Sequence, residues 1–321
     1  MADPVIRIEQ KTEQPLLVAE RPYEDCSLSY VNVLREGGRW RLWYETTDHT
    51  YKTDADIYLC YAESADGLHW ERPDLGLVEY GGNRRNNLLI TPQTGGGHGH
   101  CVFVDAQAPA AERYKLTVSR WAEGIGWIVF GGVSPDGLRW TFYDEPILNL
   151  NSDTQTVCFR DGDRYRMYAR LWTEGFFKGK RAVGYAESAD FRRFPAPVQI
   201  LATDDRDQPE IQFYNSAATK LRDDLYVMFP AAFDTKRDLL TVQAAWSRDG
   251  KNFQRLGRDA VLANGTGFDS LGIYVGPGAV PGPRPDSWWF YYIGTAAHHE
   301  QSTPDQARNN GGLGRFLVTL A

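Results

Sequence analysis

Residues 63–70 read ESADGLHW, and closely similar phrases recur three more times along this chain of 321 residues. The other copies are VSPDGLRW at 133–140, ESADFRRF at 187–194 and WSRDGKNF at 246–253. Their starting positions are therefore 70, 54 and 59 residues apart. Internal repetition at such intervals indicates a fold built from similar supersecondary units.

The residues of this phrase are those that build a tight turn. Serine and aspartate side chains accept hydrogen bonds from nearby backbone N–H groups, and glycine adopts positive φ angles without strain. The final Trp or Phe is placed to pack between units. In the third copy Phe191 replaces the glycine, so we expect a different turn there. The phrase is predicted to be architectural, because the alternative, calcium held by its aspartates, lacks the clustered ligands that calcium needs.

Each copy of the phrase ends a set of short runs rich in aromatic and branched residues. The run next to the phrase reads DIYLCYA, GWIVFGG, RAVGYA or LLTVQAA. The run before it reads GRWRLWYE, ERYKLTVS, DRYRMYAR or DDLYVMFP, with a fifth member, DSWWFYYIG, near the end. The first run of each set reads SLSYVNVL, HCVFVD, TQTVCF, NSAATKL or IYVGPGAV. Alternation at period two predicts β-strands throughout and no long helix.

Units of three to four antiparallel strands repeated around an axis make a β-propeller. Counting the strand sets predicts an all-β fold, a five-bladed β-propeller with four-stranded antiparallel blades, as a single domain over residues 1–321. The blades are expected at roughly 23–75, 98–145, 152–198, 210–258 and 268–321. An N-terminal strand within VIRIEQ or PLLVAE is expected to complete the last blade and close the ring.

Composition restricts the partners of this chain. A net charge of −7 argues against nucleic acid as the main partner. The N-terminal sequence lacks the basic start and apolar segment of a secretory signal, and no run approaches the ~18 apolar residues of a membrane span. Four cysteines without CxxC spacing predict reduced, buried thiols. We therefore expect a cytoplasmic protein without a membrane partner; the oligomeric state is left open.

In a propeller, the N-terminal ends of the innermost strands surround a central pocket. Three units carry a carboxylate shortly before their first strand, namely Asp25, Asp153 and Glu210. Three carboxylates around one pocket suit cleavage of a glycosidic bond, because one must be protonated to donate to the leaving oxygen while another must be ionised. Like charges in a confined pocket push their pKa values apart, which separates these roles. The alternative is that each is an ordinary turn residue.

A family resemblance rests on the blade phrases YAESADGLHWERPDLGLVEY, ERYKL, VSPDGLRW, DTQTVCF and LYVMFPAAF, and it covers residues 23–320. Through them the chain resembles the five-bladed propeller glycosidases of the invertase type (glycoside hydrolase family 32) and of the arabinanase and xylosidase type (family 43). It is most similar to uncharacterised bacterial proteins described as family-32-like. The resemblance implies a glycoside hydrolase acting on a small glycoside or oligosaccharide, which would be the partner of the chain.

The same resemblance implies roles for the carboxylates. Asp25 would be nucleophile or base, Asp153 would orient the sugar and modulate pKa values, and Glu210 would be the general acid. The flanking residues depart from the invertase pattern: cysteine and not proline follows Asp25, serine and not arginine precedes Asp153, and isoleucine follows Glu210. Fructoside specificity is therefore not implied, the C-terminal β-sandwich of invertases is missing, and Glu24 is an alternative to Asp25. The invertase type implies retention of configuration and the arabinanase type inversion.

Histidine, aromatic and arginine side chains near the pocket are candidates for substrate contact. These are His98, His100, Trp121, Arg170, Trp172, Tyr274 and His298. His98 and His100 alternate along one strand, and neutral imidazoles at such spacing also suit a metal. Some family 43 members hold a calcium near the axis. Because no HExxH-like signature is present, no cofactor is expected, and a structural calcium or other metal is the alternative.

Two further segments bear on the pocket. The stretch TGGGHGH at 94–100 opens no predicted helix and lacks GK[ST], which excludes a phosphate-binding loop and favours a place at the pocket rim. The polar segment 298–312 is predicted to be either a lid or a solvated loop.

Two rival functions remain open beside hydrolysis. One is a non-hydrolytic enzyme on the same scaffold, a phosphorylase, lyase or cyclase. A phosphorylase requires converging Arg or Lys side chains, and Arg120 and Arg170 leave this open. The other is a carbohydrate-binding protein without turnover.

Overall fold

Antiparallel β-sheet makes up most of the regular structure. The computed structural model describes residues 3–175, 177–301 and 310–320. Their helical segments are one turn of α-helix, α1 (Pro92–Gly95), and two 3₁₀ turns, Pro22–Glu24 and Ala110–Glu112. No helix in these ranges is long and apolar enough to cross a membrane. The predicted all-β class without a long helix is confirmed.

Three sheets share one topology, in which four consecutive strands pair antiparallel in chain order. An N-terminal strand, β1 (Ile6–Glu9), precedes them. The first sheet contains β2 (Ser27–Glu36), β3 (Arg39–Thr47), β4 (Tyr58–Ser64) and β5 (Leu88–Ile90). The second contains β6 (His98–Val104), β7 (Tyr114–Ala122), β8 (Gly126–Ser134) and β9 (Thr141–Leu148). The third contains β10 (Val157–Asp161), β11 (Arg164–Trp172), β12 (Arg181–Ser188) and β13 (Val198–Leu201). The last strand of each lies partly or wholly beyond the span expected for its unit.

The fourth repeat forms two small sheets where one four-stranded sheet is expected. One contains β14 (Ile211–Phe213), β17 (Ala231–Asp234) and β18 (Leu239–Val242). The other contains β15 (Thr219–Arg222), β16 (Leu225–Met228), β19 (Ala245–Ser247) and β20 (Gln254–Arg255). Pro230 offers no N–H to a ladder, and Ala217 has a φ of 43°, outside the strand region. The Asn215 side chain instead accepts a hydrogen bond from the Ala231 N–H at 3.0 Å.

The last sheet joins the N-terminal strand to the C-terminal one. It contains β1, β21 (Gly272–Val275), β22 (Val280–Pro281), β23 (Ser287–Thr295) and β24 (Gly311–Leu320). β1 pairs antiparallel with β24 over all four of its residues. The predicted N-terminal strand is thus confirmed within VIRIEQ, whereas in PLLVAE only Leu17 bridges to Leu313. Lys11, two residues after β1, forms an ion pair with the buried carboxylate of Asp269, with 2.7 Å between Nζ and Oδ2.

Apolar clusters fill the spaces between the sheets. One joins the first and second sheets through residues such as Trp43 and Leu116. Equivalent clusters lie between the second and third sheets, between the third sheet and the fourth repeat, and between the fourth repeat and the last sheet. A further cluster packs Leu42 of the first sheet against Tyr291 of the last. The first strands of four sheets approach one another, since β6 contacts β2 and β10, and β21 contacts β2. The fourth repeat meets β21 through β18, the last strand of its first sheet.

The repeated phrase forms the tight turn that its residues predict. In the first copy, Ser64 Oγ accepts from the Gly67 N–H at 2.9 Å, and Asp66 Oδ1 accepts from the Leu68 N–H at 2.8 Å. The copies at 133–140 and 246–253 repeat both bonds. The third copy keeps the aspartate bond, from the Arg192 N–H to Asp190 Oδ1 at 2.9 Å. It differs as expected at Phe191, which lacks the positive φ of the glycines in the other copies and is buried among aromatic rings of the cluster between the second and third sheets. The architectural role of the phrase is therefore confirmed.

The turn glycines are held by aromatic side chains of the adjacent sheet. The donor and acceptor pairs are Trp43 Nε1 to Gly137 O at 2.7 Å, Tyr168 OH to Gly250 O at 2.8 Å, and Tyr291 OH to Gly67 O at 2.9 Å. Each donor is the fifth residue of its strand, in β3, β11 and β23. In β7 the fifth residue is Val118, which has no donor, and the next sheet carries Phe191 in place of the turn glycine. A side-chain donor at the fifth position of the strand therefore occurs together with a glycine in the turn of the next sheet, and both are absent at Val118 and Phe191.

The four cysteines are buried and form no disulfide. They are Cys26, Cys60, Cys101 and Cys158. This agrees with the prediction of reduced thiols.

Candidate functional site

A cavity of about 390 Å³ lies where the first strands of the sheets approach one another. Its walls come from β2, β3, β6, β21 and β23, from the segments before β10 and after β14, and from the loops 48–57 and 296–299. The lining residues are Cys26, Ser27, Leu28, Ser29, Tyr30, Glu45, Thr47, Tyr51, Asp54, Ile57, His98, Asp153, Tyr214, Tyr274, Ile293, Thr295, Ala297, His298 and His299. Four repeats therefore contribute residues before or within their first strands, and the fourth repeat contributes Tyr214, directly after β14.

Asp153 is the member of the predicted carboxylate trio that lines this cavity. Its Oδ2 lies 3.0 Å from Nη1 of Arg170. Burial alone would raise the pKa of Asp153, but the positive charge of Arg170, assisted by His98 and Arg181, outweighs it and lowers the pKa below its ordinary value. Oδ1 has no hydrogen-bond partner among the described residues. Asp153 thus places an ionised carboxylate in the cavity wall, with one oxygen held by Arg170 and the other buried without a partner among the described residues.

Arg170, predicted to contact substrate, lies behind the cavity wall. Its side chain is buried, its Nε donates to the Tyr214 carbonyl at 3.1 Å, and its Nη1 donates to the Asp153 carbonyl at 3.1 Å. The guanidinium carbon also lies 4.1 Å from the centre of the Tyr214 ring. Arg170 therefore connects two residues that line the cavity.

His98, the first of the predicted histidines, lines the cavity. Its ring packs edge-on against Trp127, with 4.5 Å between the ring centres. Its buried Nδ1 has no hydrogen-bond partner among the described residues and lies 4.0 Å from Oδ2 of Asp54. The Asp54 side chain is 44% exposed and accepts a hydrogen bond from the Tyr51 hydroxyl at 2.6 Å. Asp54 is accordingly the solvent-facing carboxylate of the cavity.

His100 and Glu45 form a buried pair deeper in the wall. Oε1 of Glu45 lies 2.6 Å from the His100 backbone nitrogen, which donates to it, and 2.5 Å from His100 Nδ1. Neither side chain is exposed. Glu45 Oε2 and His100 Nε2 have no hydrogen-bond partner in the described part of the chain. Glu45 lines the cavity and His100, which contacts Glu45, does not. The substrate contact of His100 stays a prediction.

Tyr274 and His298 both line the cavity, together with His299. The Tyr274 hydroxyl lies 3.0 Å from His299 Nδ1, and the Tyr214 ring packs edge-on against the same imidazole at 4.6 Å. Burial, with the charges of Arg181 and Arg170, lowers the pKa of His299 to about 4, so the ring is neutral near pH 7.

Asp238 holds the loop that carries these two histidines. Its carboxylate accepts hydrogen bonds from the backbone N–H groups of His299, Glu300 and Gln301, at 2.8 to 3.1 Å. His298 Nδ1 lies 3.1 Å from the Asp238 carbonyl oxygen. Asp238 itself has a φ of 51°, a left-handed conformation that Asp tolerates better than most residues.

Asp25 and Glu210 lie outside the lining of the cavity. The Asp25 side chain is 33% exposed, and its Oδ2 lies 3.9 Å from Nδ1 of His49. The Glu210 side chain is 34% exposed and lies 4.0 Å from Lys236 Nζ. The catalytic roles of both residues stay predictions. The alternative to Asp25, Glu24, is fully buried in an ion pair of 2.9 Å with Arg72, which is a structural role.

Trp121 and Trp172 also lie outside the lining. Trp121 is at the end of β7 and is 53% exposed. Trp172, at the end of β11, is half-buried beneath Arg181, whose guanidinium carbon lies 4.8 Å from the centre of its ring. Trp121 lies at the end of the β7–β8 hairpin, and Trp172 lies at the end of the β11–β12 hairpin of the neighbouring sheet.

The metal alternative finds no ligand set in the described residues. Among them, no group of three or more His, Cys, Asp or Glu side chains is arranged to hold a metal ion. Of the segment 298–312, predicted as lid or loop, residues 302–309 lie outside the described ranges.

Several lining residues were not candidates from the sequence. They are Glu45, Tyr51, Asp54, Tyr214 and His299. Glu45 carries a signal, because it is a charged residue inside an otherwise uncharged, buried stretch, residues 42–47. Asp54 lies in a loop and has no such signal, since its position depends on how the loop folds over the sheet.

No protein-family model matches the chain. The uncharacterised protein MT1551 of Mycobacterium tuberculosis (strain CDC 1551 / Oshkosh) is 30% identical over 126 residues, which are 39% of this chain and 37% of that protein. The uncharacterised protein Rv1502 of strain H37Rv is 29% identical over the same length and shares. The match therefore spans little more than a third of the curated relatives.

Solved structures with the same fold cover nearly the whole chain. An N-acetylgalactosamine deacetylase from F. plautii, in complex with blood group B trisaccharide, has a TM-score of 0.64 and 16% identity over 98% of this chain and 95% of that one. A structure from the GH130 family of mannoside phosphorylases, described as containing glycoside hydrolases, has a TM-score of 0.62 and 16% identity over 98% and 94%. The catalytic domain of the Coprinopsis cinerea GH62 α-L-arabinofuranosidase has a TM-score of 0.62 and 12% sequence identity, over 98% of this chain and 97% of that one. The chain thus has the propeller-like β fold of glycoside hydrolases.

Proposed function

We propose that this chain is a glycoside hydrolase, that the cavity is its active site, and that its sheets are the blades of a five-bladed propeller. Asp153 carries the proposal, as a carboxylate with a lowered pKa that lines a space built by all five repeats. The carbohydrate-active enzymes that share the fold support the substrate class. Apolar clusters that link each sheet to the next, and the last to the first, support the ring.

Hydrolysis of a glycosidic bond requires one ionised and one protonated group. The charge of Arg170 keeps Asp153 ionised, which suits a base, a nucleophile or a group that orients the sugar. The resemblance assigns the remaining roles to Asp25 and Glu210. Two further carboxylates, Glu45 and Asp54, line the cavity itself. We propose that the proton donor is one of these four residues.

The cavity offers surfaces suited to a sugar. Its volume of about 390 Å³ lies within the range of small-molecule sites. Four tyrosines line it, namely Tyr30, Tyr51, Tyr214 and Tyr274. Each tyrosine ring has an apolar face that suits the C–H groups of a sugar, and each tyrosine hydroxyl can form a hydrogen bond with a sugar hydroxyl. His98, with its unpartnered Nδ1, adds a group that can bond a sugar hydroxyl.

The test is hydrolysis of a panel of aryl furanosides and pyranosides. Asp153→Asn keeps the shape of the side chain and removes its charge, so we expect activity to fall about 10³-fold. Asp163→Asn, an exposed residue in the turn between β10 and β11, is the matched control. Equal activity of these two variants would contradict the proposal. A wild-type protein that binds sugars without turnover would favour a carbohydrate-binding protein.

The second carboxylate is identified with four further variants, Asp25→Asn, Glu45→Gln, Asp54→Asn and Glu210→Gln. A proton donor is recognised because its loss harms substrates with poor leaving groups more than activated aryl glycosides, which need little protonation. Loss confined to Asp25 and Glu210 would favour the assignment by resemblance. Loss confined to Glu45 or Asp54 would favour the residues that line the cavity.

A phosphorylase is the second candidate, because a structure with this fold belongs to a family of mannoside phosphorylases. Phosphate needs cationic partners. Among the described residues that line the cavity none is Lys or Arg, and Arg170 is engaged by Asp153 and Tyr214. We therefore expect that added inorganic phosphate neither accelerates turnover nor yields a sugar phosphate.

A further inference from the structure

The large exposed apolar side chains of the described residues are unevenly distributed. Seven are exposed, namely Val5, Val18, Trp121, Ile125, Phe177, Val198 and Leu256. Three of the seven lie at the ends of two hairpins in neighbouring sheets: Trp121 and Ile125 on β7–β8, and Phe177 on β11–β12. The two aromatic residues of the set are both among these three. Exposed aromatic side chains at equivalent hairpin ends are candidates for a ligand-binding surface, because contiguous exposed apolar surface marks such sites.

The first hairpin leads to the cavity through stacked rings. Trp121 packs edge-on against Trp127 of β8, with 5.7 Å between the ring centres. Trp127 packs in the same way against His98 at 4.5 Å. His98 lines the cavity, so two ring contacts separate the exposed face of Trp121 from the proposed active site.

The second hairpin leads to the cavity by an equivalent route. Phe177 packs edge-on against Trp172 at 5.5 Å. The Arg181 guanidinium covers Trp172 at 4.8 Å and lies 5.5 Å from the centre of the Tyr214 ring, which lines the cavity. Two rows of rings on neighbouring sheets therefore end at the same space.

We propose that these two rows form a binding subsite for sugar units of an oligosaccharide whose terminal unit occupies the cavity. The proposal rests on the proposed function and names its substrate class, a chain of sugar units and not a simple glycoside. A sugar ring presents an apolar face that matches an exposed indole. Exposed charged residues, Glu123 beside Trp121 and Glu174 with Lys178 beside Phe177, offer hydrogen bonds to hydroxyls at the edge of each row.

Sugar is favoured over a protein partner by the shape of the surface. The apolar groups form two narrow rows flanked by charges, whereas protein interfaces need a broad buried core of about 800 Å² on each partner. Both rows also end at residues that line the cavity, His98 and Tyr214, where the chemistry is proposed to occur.

The test measures binding as a function of chain length, and it needs no turnover. Linear xylo-, arabino-, manno-, cello- and fructo-oligosaccharides of one to six units are titrated against the intact protein by calorimetry and tryptophan fluorescence. For the sugar that binds, we expect affinity to rise with length in the wild type. Trp121→Ala is expected to remove that gain, a loss of about tenfold for the longest chain, and to leave the affinity for one unit unchanged. Trp121→Phe should restore part of it.

Val198→Ala, on the outer strand β13, is the control, because that residue is 63% exposed and belongs to neither hairpin. Equal affinity of one and six units in the wild type, absence of binding by every oligosaccharide, or an unchanged length dependence in Trp121→Ala would overturn the subsite. Length-dependent binding that Trp121→Ala abolishes, in a protein that hydrolyses nothing, would uphold the subsite and reject the hydrolase proposal.

Discussion

Arg170 and Asp153 set the charge balance of the cavity at the scale of single residues. Burial raises the pKa of Asp153, and the Arg170 charge is the largest of several influences that together lower it below its ordinary value. Replacing Arg170 by Gln removes the charge, so we expect the acidic limb of the kcat/KM profile to move to higher pH. Arg170→Lys keeps the charge and is expected to move it less. A profile that does not respond to Arg170→Gln would show that Asp153 need not be ionised.

The same pair contributes to folding with a definite pH dependence. A depressed carboxylate pKa stabilises the folded state above the pKa of the unfolded chain, and this contribution is lost as the pH falls through the folded value. Removing one partner of a buried pair costs about 3 kcal/mol. Urea unfolding of Arg170→Gln at pH 7 is expected to show a loss of that order, with Arg170→Lys closer to the wild type.

His299 produces a pH dependence of the opposite origin. Its pKa is lowered from 6.5 to about 4, so the unfolded chain takes up a proton at a higher pH than the folded one. Stability is therefore lost as the pH falls below 6.5, by about 2 kcal/mol between pH 7 and pH 5. We expect the free energy of unfolding of His299→Gln to fall by about 2 kcal/mol less than that of the wild type between pH 7 and pH 5. Urea unfolding at both pH values measures it, and an equal pH sensitivity of variant and wild type would contradict it.

The glycine turns hold neighbouring sheets together at the scale of elements. Gly137 has a φ of 75°, and a Cβ there would lie 2.9 Å from the Trp43 ring. Gly162 has a φ of 62° with nothing near its missing Cβ. Alanine at Gly162 is expected to cost about 1 kcal/mol for the left-handed backbone, and alanine at Gly137 about 2 kcal/mol more for overpacking. Equal losses in chemical denaturation would mean that the contact with Trp43 is dispensable.

The strands and turns were largely predictable because their causes are local. Period-two alternation predicts strands, and Ser, Asp and Gly at fixed offsets predict the turn, including its change at Phe191. The division of the fourth repeat was not predictable, since it depends on Ala217 and Pro230 meeting at the same point of a sheet. Neither residue alone excludes a strand in the sequence.

At the scale of the whole molecule, the last sheet joins the N-terminal strand β1 to the C-terminal strand β24. β1 covers the edge of β24, and Ile6 and Ile8 pack on the cluster between the fourth repeat and the last sheet. Deleting residues through Gln10 is expected to cost about 3 kcal/mol of apolar burial and to expose a strand edge that promotes self-association. A deletion through Pro4 keeps β1 and is the control. Thermal unfolding and size-exclusion chromatography measure both effects, and identical behaviour of the two deletions would contradict the closing role.

The site is predictable only in part because it is a product of the whole molecule. The common position of residues before the first strands predicts Asp153 and His98 at one place, and both line the cavity. Asp25 and Glu210 occupy similar sequence positions but lie outside its lining, since the backbone geometry before each first strand differs between repeats. The Glu45–His100 pair depends on contact between the first and second sheets, which no local pattern encodes.

The distribution of the cavity walls along the chain has a consequence for biosynthesis. Its first wall residue is Cys26 and its last is His299, so the ribosome must synthesise the chain through residue 299 before the space can exist. Contacts of such sequence separation form slowly. A nascent chain arrested before residue 299 should fold most of its sheets and still bind no sugar. Competence would then arise in a single step and not grow with length, which makes ligand binding a sensor of synthesis past residue 299.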